Sequence, residues 1–193
     1  LAQYTNLGFL SVLLFLFVGT ILTVIVQSSS AIMAITLVMC AQGWISFEIA
    51  AAMVLGENIG TTITANVAAL SANVSAKRAA LSHTIFNVFG VIWLLIVFYP
   101  FTSMIKALVV EIGPTDPTQQ DAFSLSLFHS MFNVCNVLIL SWFAKFIAKT
   151  VTKLIPQSET DEEFRLAFIS TGMLSTAELS ILQAQKEMLT YTE

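Results

Sequence analysis

The chain has 193 residues, of which 56% are hydrophobic and only 10% charged, with a mean hydropathy of +0.84. Soluble domains carry about 25% charge, so an ordinary water-soluble fold is excluded. Charge is also uneven: residues 1–76 hold only Glu48 and Glu57, while residues 157–193 set Arg165 and Lys186 against seven acids, a net of −5.

This is the composition of a membrane protein with a short, acidic, water-facing tail, and no nucleic-acid partner is expected. Cys40 and Cys135 lie in apolar runs without paired spacing and read as small buried hydrophobes. The first residue is Leu, so the chain reads as a piece of a longer protein or a processed one. Residues 7–26 lack the basic flank and cleavage site of a signal peptide.

In chain order, residues 7–26 are uncharged and long enough to cross a hydrocarbon core of about 30 Å. They end in Gln27-Ser28-Ser29-Ser30, and residues 31–41 are apolar again. As one helix, residues 7–41 would extend about 52 Å, too long for one crossing. The tetrad is therefore the expected break, at the tip of a re-entrant hairpin whose second arm, residues 31–41, is about 16 Å long.

A turn at Gln42-Gly43-Trp44 leads to a second interrupted element: residues 45–55, a polar glycine-rich stretch over residues 56–64, and residues 65–70. A polar loop is expected over residues 71–78, a full crossing over 79–99 closed by Pro100, and an interfacial helix over 101–112. Residues 113–117 (Gly-Pro-Thr-Asp-Pro) form a firm break before a last crossing over 122–144, followed by Lys145, Lys149 and Lys153. Lys77-Arg78 and the lysine segment should share the cytoplasmic side, which puts the tail there too. In the tail, residues 175–178 (Ser-Thr-Ala-Glu) have the form of a capping box.

His83-Thr84-Ile85-Phe86-Asn87-Val88 recurs 46 residues later as His129-Ser130-Met131-Phe132-Asn133-Val134. In each copy the His and Asn share one helix face. The pairs read either as hydrogen bonds to a neighbouring helix or as a proton relay or metal site, and two histidines alone make a poor metal site.

Four consecutive polar residues at membrane depth must be satisfied. An unwound Gln27-Ser28 offers neutral oxygens to a sodium ion, while the helix starting after it offers amides and a positive dipole to an anion. Thr61, Thr62 and Thr64 add hydroxyls on the second element. Two plainer roles compete: Gly56 and Gly60 form a GxxxG that packs helices closely, and membrane threonines often bond back to their own helix. Glu57, as an ionisable group in a membrane, reads as functional.

Gln27-Ser28-Ser29-Ser30 followed by Gly56-Glu57-Asn58-Ile59-Gly60-Thr61-Thr62-Ile63-Thr64-Ala65 resembles the signature of the type II sodium–phosphate cotransporters and their bacterial relatives. Lys77-Arg78-Ala79-Ala80 and the two His-x-x-Phe-Asn segments resemble the bacterial branch. The resemblance covers about residues 7–145. It implies sodium-coupled symport of inorganic phosphate, with no enzymatic step and no cofactor beyond the coupling ion. It also implies a fold of two inverted repeats, each with its own QSSS.

Gln27, Ser28, Thr61, Thr62 and Thr64 would then bind sodium. Ser29, Ser30 and the Ala31 amide would face phosphate, with Glu57, Asn58, His83, Asn87, His129 and Asn133 behind them. Glu57 departs from the family pattern, where a small residue is common, and this chain holds a single QSSS. The chain is thus expected to be an all-α membrane protein of the cell (inner) membrane. It would have a re-entrant hairpin plus broken and full transmembrane helices, and form one half of an inverted-repeat transporter. Residues 1–147 would form the membrane repeat, 148–160 a linker, and 161–193 the start of a PhoU-like helical domain. The missing N-terminal repeat, or another copy of the chain, would complete the site within the bilayer. The rival readings are a carrier of another small anion and a channel or scaffold in which QSSS and GxxxG serve packing.

Overall fold

Seven helices occupy most of residues 9–154: α1 (Phe9–Val26), α2 (Ser29–Ala41), α3 (Phe47–Ala69), α4 (Val74–Ile96), α5 (Phe98–Ile112), α6 (Pro117–Ser141) and α7 (Ala144–Leu154). They are seen in a computed structural model that describes residues 8–157 with residues 181, 184–186 and 188. The chain divides into a unit of residues 1–157 and a unit of residues 158–193. The capping box at 175–178 and most of the expected PhoU-like segment lie outside the described residues. Among the described residues three helical stretches are long and apolar enough to cross a membrane: Phe9–Val26, Val74–Ile96 and Gln119–Ser141.

The expected break falls within the tetrad. Gln27 ends α1 in the left-handed region, at φ 57° and ψ 25°, and Ser28 is extended, at φ −145° and ψ 99°. Ser28 then caps α2 by accepting the Ala31 N–H at 3.3 Å. The unwinding is narrower than expected, because Ser29 and Ser30 already belong to the first turn of α2. Nine residues separate Thr36 from Gln27 and seven separate Thr20 from it, yet they reach adjacent residues of α3, Glu57 and Gly56. The chain therefore doubles back at Gln27, and α1 and α2 form a helical hairpin against α3.

The second interruption does not occur. α3 runs unbroken from Phe47 to Ala69, straight through the glycine-threonine stretch. The reason is a close approach to α1. A Cβ on Gly56 would collide with the Leu16 carbonyl, one on Gly60 would lie 2.6 Å from Thr23 Cβ, and one on Gly19 would meet the Met53 carbonyl. Thr20 Oγ1 also donates to Gly56 O at 3.0 Å across the contact. The glycines thus serve packing. Gly19 against Met53 and Thr23 against Gly60 show that α1 and α3 run in the same direction.

Three further boundaries move. Asn73 caps α4 by accepting the Ala76 N–H at 2.9 Å, so Lys77 and Arg78 are helical rather than in a loop. Pro100 does not close α4, which ends at Ile96; it sits in the first turn of α5, where no intrahelical N–H is needed. α6 starts at Pro117, earlier than the expected 122. α5 buries one stripe, Phe98, Phe101, Thr102, Ile105 and Val109, against α6. Phe101 and Phe98 meet Phe128 there with ring centroids 5.6 and 6.5 Å apart. At one edge of this cluster Lys106 pairs with Glu48 at 2.5 Å.

Candidate site at the α1–α2 break

The break puts the start of α2 beside the middle of α3. A cavity of about 260 Å³ is lined by Ser29, Ser30 and Met33 of α2, Glu57 and Asn58 of α3, and His129 of α6. Among the described residues the hydroxyls and N–H groups of Ser29 and Ser30 have no hydrogen-bond partner, so they are available there. The Ala31 amide is not: Ser28 takes it. Asn58 spends its Nδ2 on Val54 O at 2.9 Å, which leaves its carbonyl oxygen for the cavity. Glu57 is only 4% exposed, and its Oε1 accepts from Thr36 at 2.9 Å.

The threonines of α3 bond back to their own helix. Thr61 donates to Glu57 O, Thr62 to Ile59 O and Thr64 to Thr61 O, at 2.8 to 2.9 Å. With its proton so directed, each hydroxyl offers outward only lone pairs. The parallel register that matches Thr20 to Gly56 and Thr23 to Gly60 places Gln27, one turn further, level with Thr64.

The two His–Asn pairs part company. Asn87 Nδ2 donates to His83 O at 3.0 Å and Asn133 Nδ2 to His129 O at 2.8 Å. Each amide thus bonds to its own helix, not to a neighbour as one reading expected. His129 faces the Ser29–Glu57 cavity, while His83 lines a different one beneath α7. Among the described residues no group of three or more His, Cys, Asp or Glu could hold a metal ion.

Two functional candidates escaped the sequence reading. Thr23, one turn before the break, is 1% exposed, and its Oγ1 has no partner among the described residues. Asn136 is fully buried: it accepts from Trp93 Nε1 at 3.2 Å, donates to Phe86 O at 3.3 Å, and fills the space that a Cβ on Gly90 would need. It locks α6 to α4. Glycines two elements away are the only sequence signal for either residue.

A family description of Na+/Pi-cotransporters matches residues 3–115. The chain belongs to the Na+/Pi-cotransporter family. YqeW of Bacillus subtilis, an uncharacterised protein, is 37% identical over 142 residues, 73% of this chain and 43% of YqeW. YjbB of Salmonella typhimurium, whose name provisionally assigns it inorganic phosphate export, is 26% identical over 89% of this chain and 30% of its own. The sodium-dependent phosphate transport protein 2C of Mus musculus is 40% identical over 94 residues, 46% of this chain and 16% of its own. The chain therefore spans less than half the length of the curated relatives it matches. No solved structure matches it. The family match takes in the QSSS break and the whole of α3, two of the elements that line the cavity, while α6, which brings His129 to it, lies beyond the match. A Na+/Pi-cotransporter family chain with three apolar helices of spanning length is a membrane protein.

Proposed function

We propose that this chain supplies one repeat of a sodium-coupled inorganic phosphate transporter of the cell membrane, with its tail on the cytoplasmic side. The observation that carries the reading is the left-handed break at Gln27, after which Ser28 caps only the Ala31 N–H and the Ser29 and Ser30 amides at the start of α2 stay unpaired beside a cavity. Phosphate oxygens would accept from those amides and hydroxyls, favoured by the positive end of α2. A helix end contributes only about half an elementary charge. The cavity lining holds no Lys or Arg, and Glu57 adds a carboxylate. Sodium must supply the remaining positive charge. Gln27 and Ser28 at the break, with Thr64 level with Gln27 and Thr61 and Thr62 in the turn before it, are the neutral oxygens for that ion, and the unpartnered Thr23 hydroxyl lies one turn away.

One such hairpin holds a doubly charged anion poorly, and family sites form where two repeats meet. In proteoliposomes the chain alone should show no influx of radiolabelled phosphate under an inward sodium gradient, and pairing it with a partner repeat should restore influx. Because YjbB is named for export, efflux is measured as well. Restored influx that ignores sodium would refute the coupling. Strong influx by the chain alone would mean that two copies complete the site, which crosslinking detects.

A further inference from the structure

Five of the six bases in residues 8–157 gather at one end of the fold: Lys77, Arg78, Lys145, Lys149 and Lys153. The tie between them is explicit, because Arg78 Nε, near the start of α4, donates to Ile155 O, just past α7, at 2.9 Å. α7 begins three residues after α6 ends, so it lies where the apolar span gives way to water. Its three lysines, four residues apart, form one exposed stripe. Beside them Trp142 is 88% exposed and Phe146 69%, the aromatic setting of a bilayer interface.

Beneath α7 lies a cavity of about 400 Å³ between α4, α6 and α7. Phe86, Val137, Leu140 and Ile147 make its wall apolar, and it also takes in His83, the histidine that the transport site leaves out. Ala144 and Ala148 of α7 line it too, and Lys145 and Lys149 follow them directly in the chain. An apolar crevice with cations at its edge, next to a membrane span, suits a molecule with a hydrocarbon end and an anionic end.

We propose that this crevice binds one anionic phospholipid, an acyl chain lying against Phe86, Leu140 and Ile147 and the headgroup phosphate on Lys145 and Lys149. A neutral lipid would leave the lysines unmatched, and free phosphate would leave the apolar wall bare. The proposal stands apart from the transport reading, since no residue of the Ser29–Glu57 cavity takes part.

The test is native mass spectrometry of the purified chain exchanged against phosphatidylglycerol and phosphatidylcholine. One phosphatidylglycerol per chain should be retained, with about a tenfold preference over phosphatidylcholine. Lys145→Gln with Lys149→Gln should reduce that preference to near parity. Ala148→Trp, which fills the crevice and keeps the lysines, should lower retention of both lipids. Equal retention of the two lipids by the unmodified chain, or displacement of phosphatidylglycerol by excess inorganic phosphate, would overturn the proposal. A photoreactive residue in place of Lys149 should label lipid; labelling of residues 158–193 instead would assign the lysines to the tail and overturn it too.

Discussion

Gly56→Ala separates the two readings of the glycine-threonine stretch by the sign of its effect. If α3 were simply a helix carrying a poor helix former, alanine would stabilise it by about 1 kcal/mol. The geometry opposes this. The added methyl would collide with the Leu16 carbonyl and sit 2.7 Å from Thr20 N, and both are backbone atoms that cannot rotate aside. Overpacking of this kind costs about 1–3 kcal/mol. Separating the helices also strains the hydrogen bond from Thr20 Oγ1 to Gly56 O, worth about 1 kcal/mol. Set against the propensity gain, the balance is a loss of about 1–3 kcal/mol. For a chain of this size that lowers the midpoint of thermal unfolding by roughly 3–10 °C. The assay is thermal unfolding of the detergent-purified chain, followed by a thiol-reactive dye at the fully buried Cys40. An unchanged or raised midpoint would refute the close approach and return the glycines to a conformational role.

Gln27 holds φ 57°, so Gln27→Val should lower stability by about 1–2 kcal/mol, while Gln27→Gly should fold normally yet raise the sodium concentration needed for half-maximal uptake in the assembled transporter. Equal thermal midpoints for the two variants would show that the backbone at the break is unconstrained. Thr36→Val and Glu57→Leu each delete one partner of a buried hydrogen bond, so a double-mutant cycle should give a coupling of about 1 kcal/mol; a coupling of zero would show that the bond does not form. Asn136→Ala should cost about 1 kcal/mol, within the range of side-chain hydrogen bonds in membranes, and Trp93→Phe should add little to it, since both delete the same bond. Additive losses in that double variant would mean that the two side chains act separately.

What the sequence could reveal depended on whether one segment's chemistry decided the outcome. The break at Gln27-Ser28 was legible because a 35-residue apolar stretch cannot cross as one helix and only the tetrad can interrupt it. α3 was not, because glycines permit both unwinding and close packing. The choice lay with α1, where Gly19, Thr20 and Thr23 offer a surface small enough for backbone contact. The threonines followed: with the helix intact, their protons went to carbonyls three and four residues back. The histidine echo makes the same point in reverse. Two nearly identical segments give their Asn the same local bond, yet α6 turns His129 toward α2 and α3 while α4 turns His83 toward α7. Local pattern set the bond within each helix, and helix packing alone decided which histidine meets the start of α2. A site built at a chain break therefore shows its first half in the sequence, as the polar tetrad, and hides its second half in whatever packs across from it.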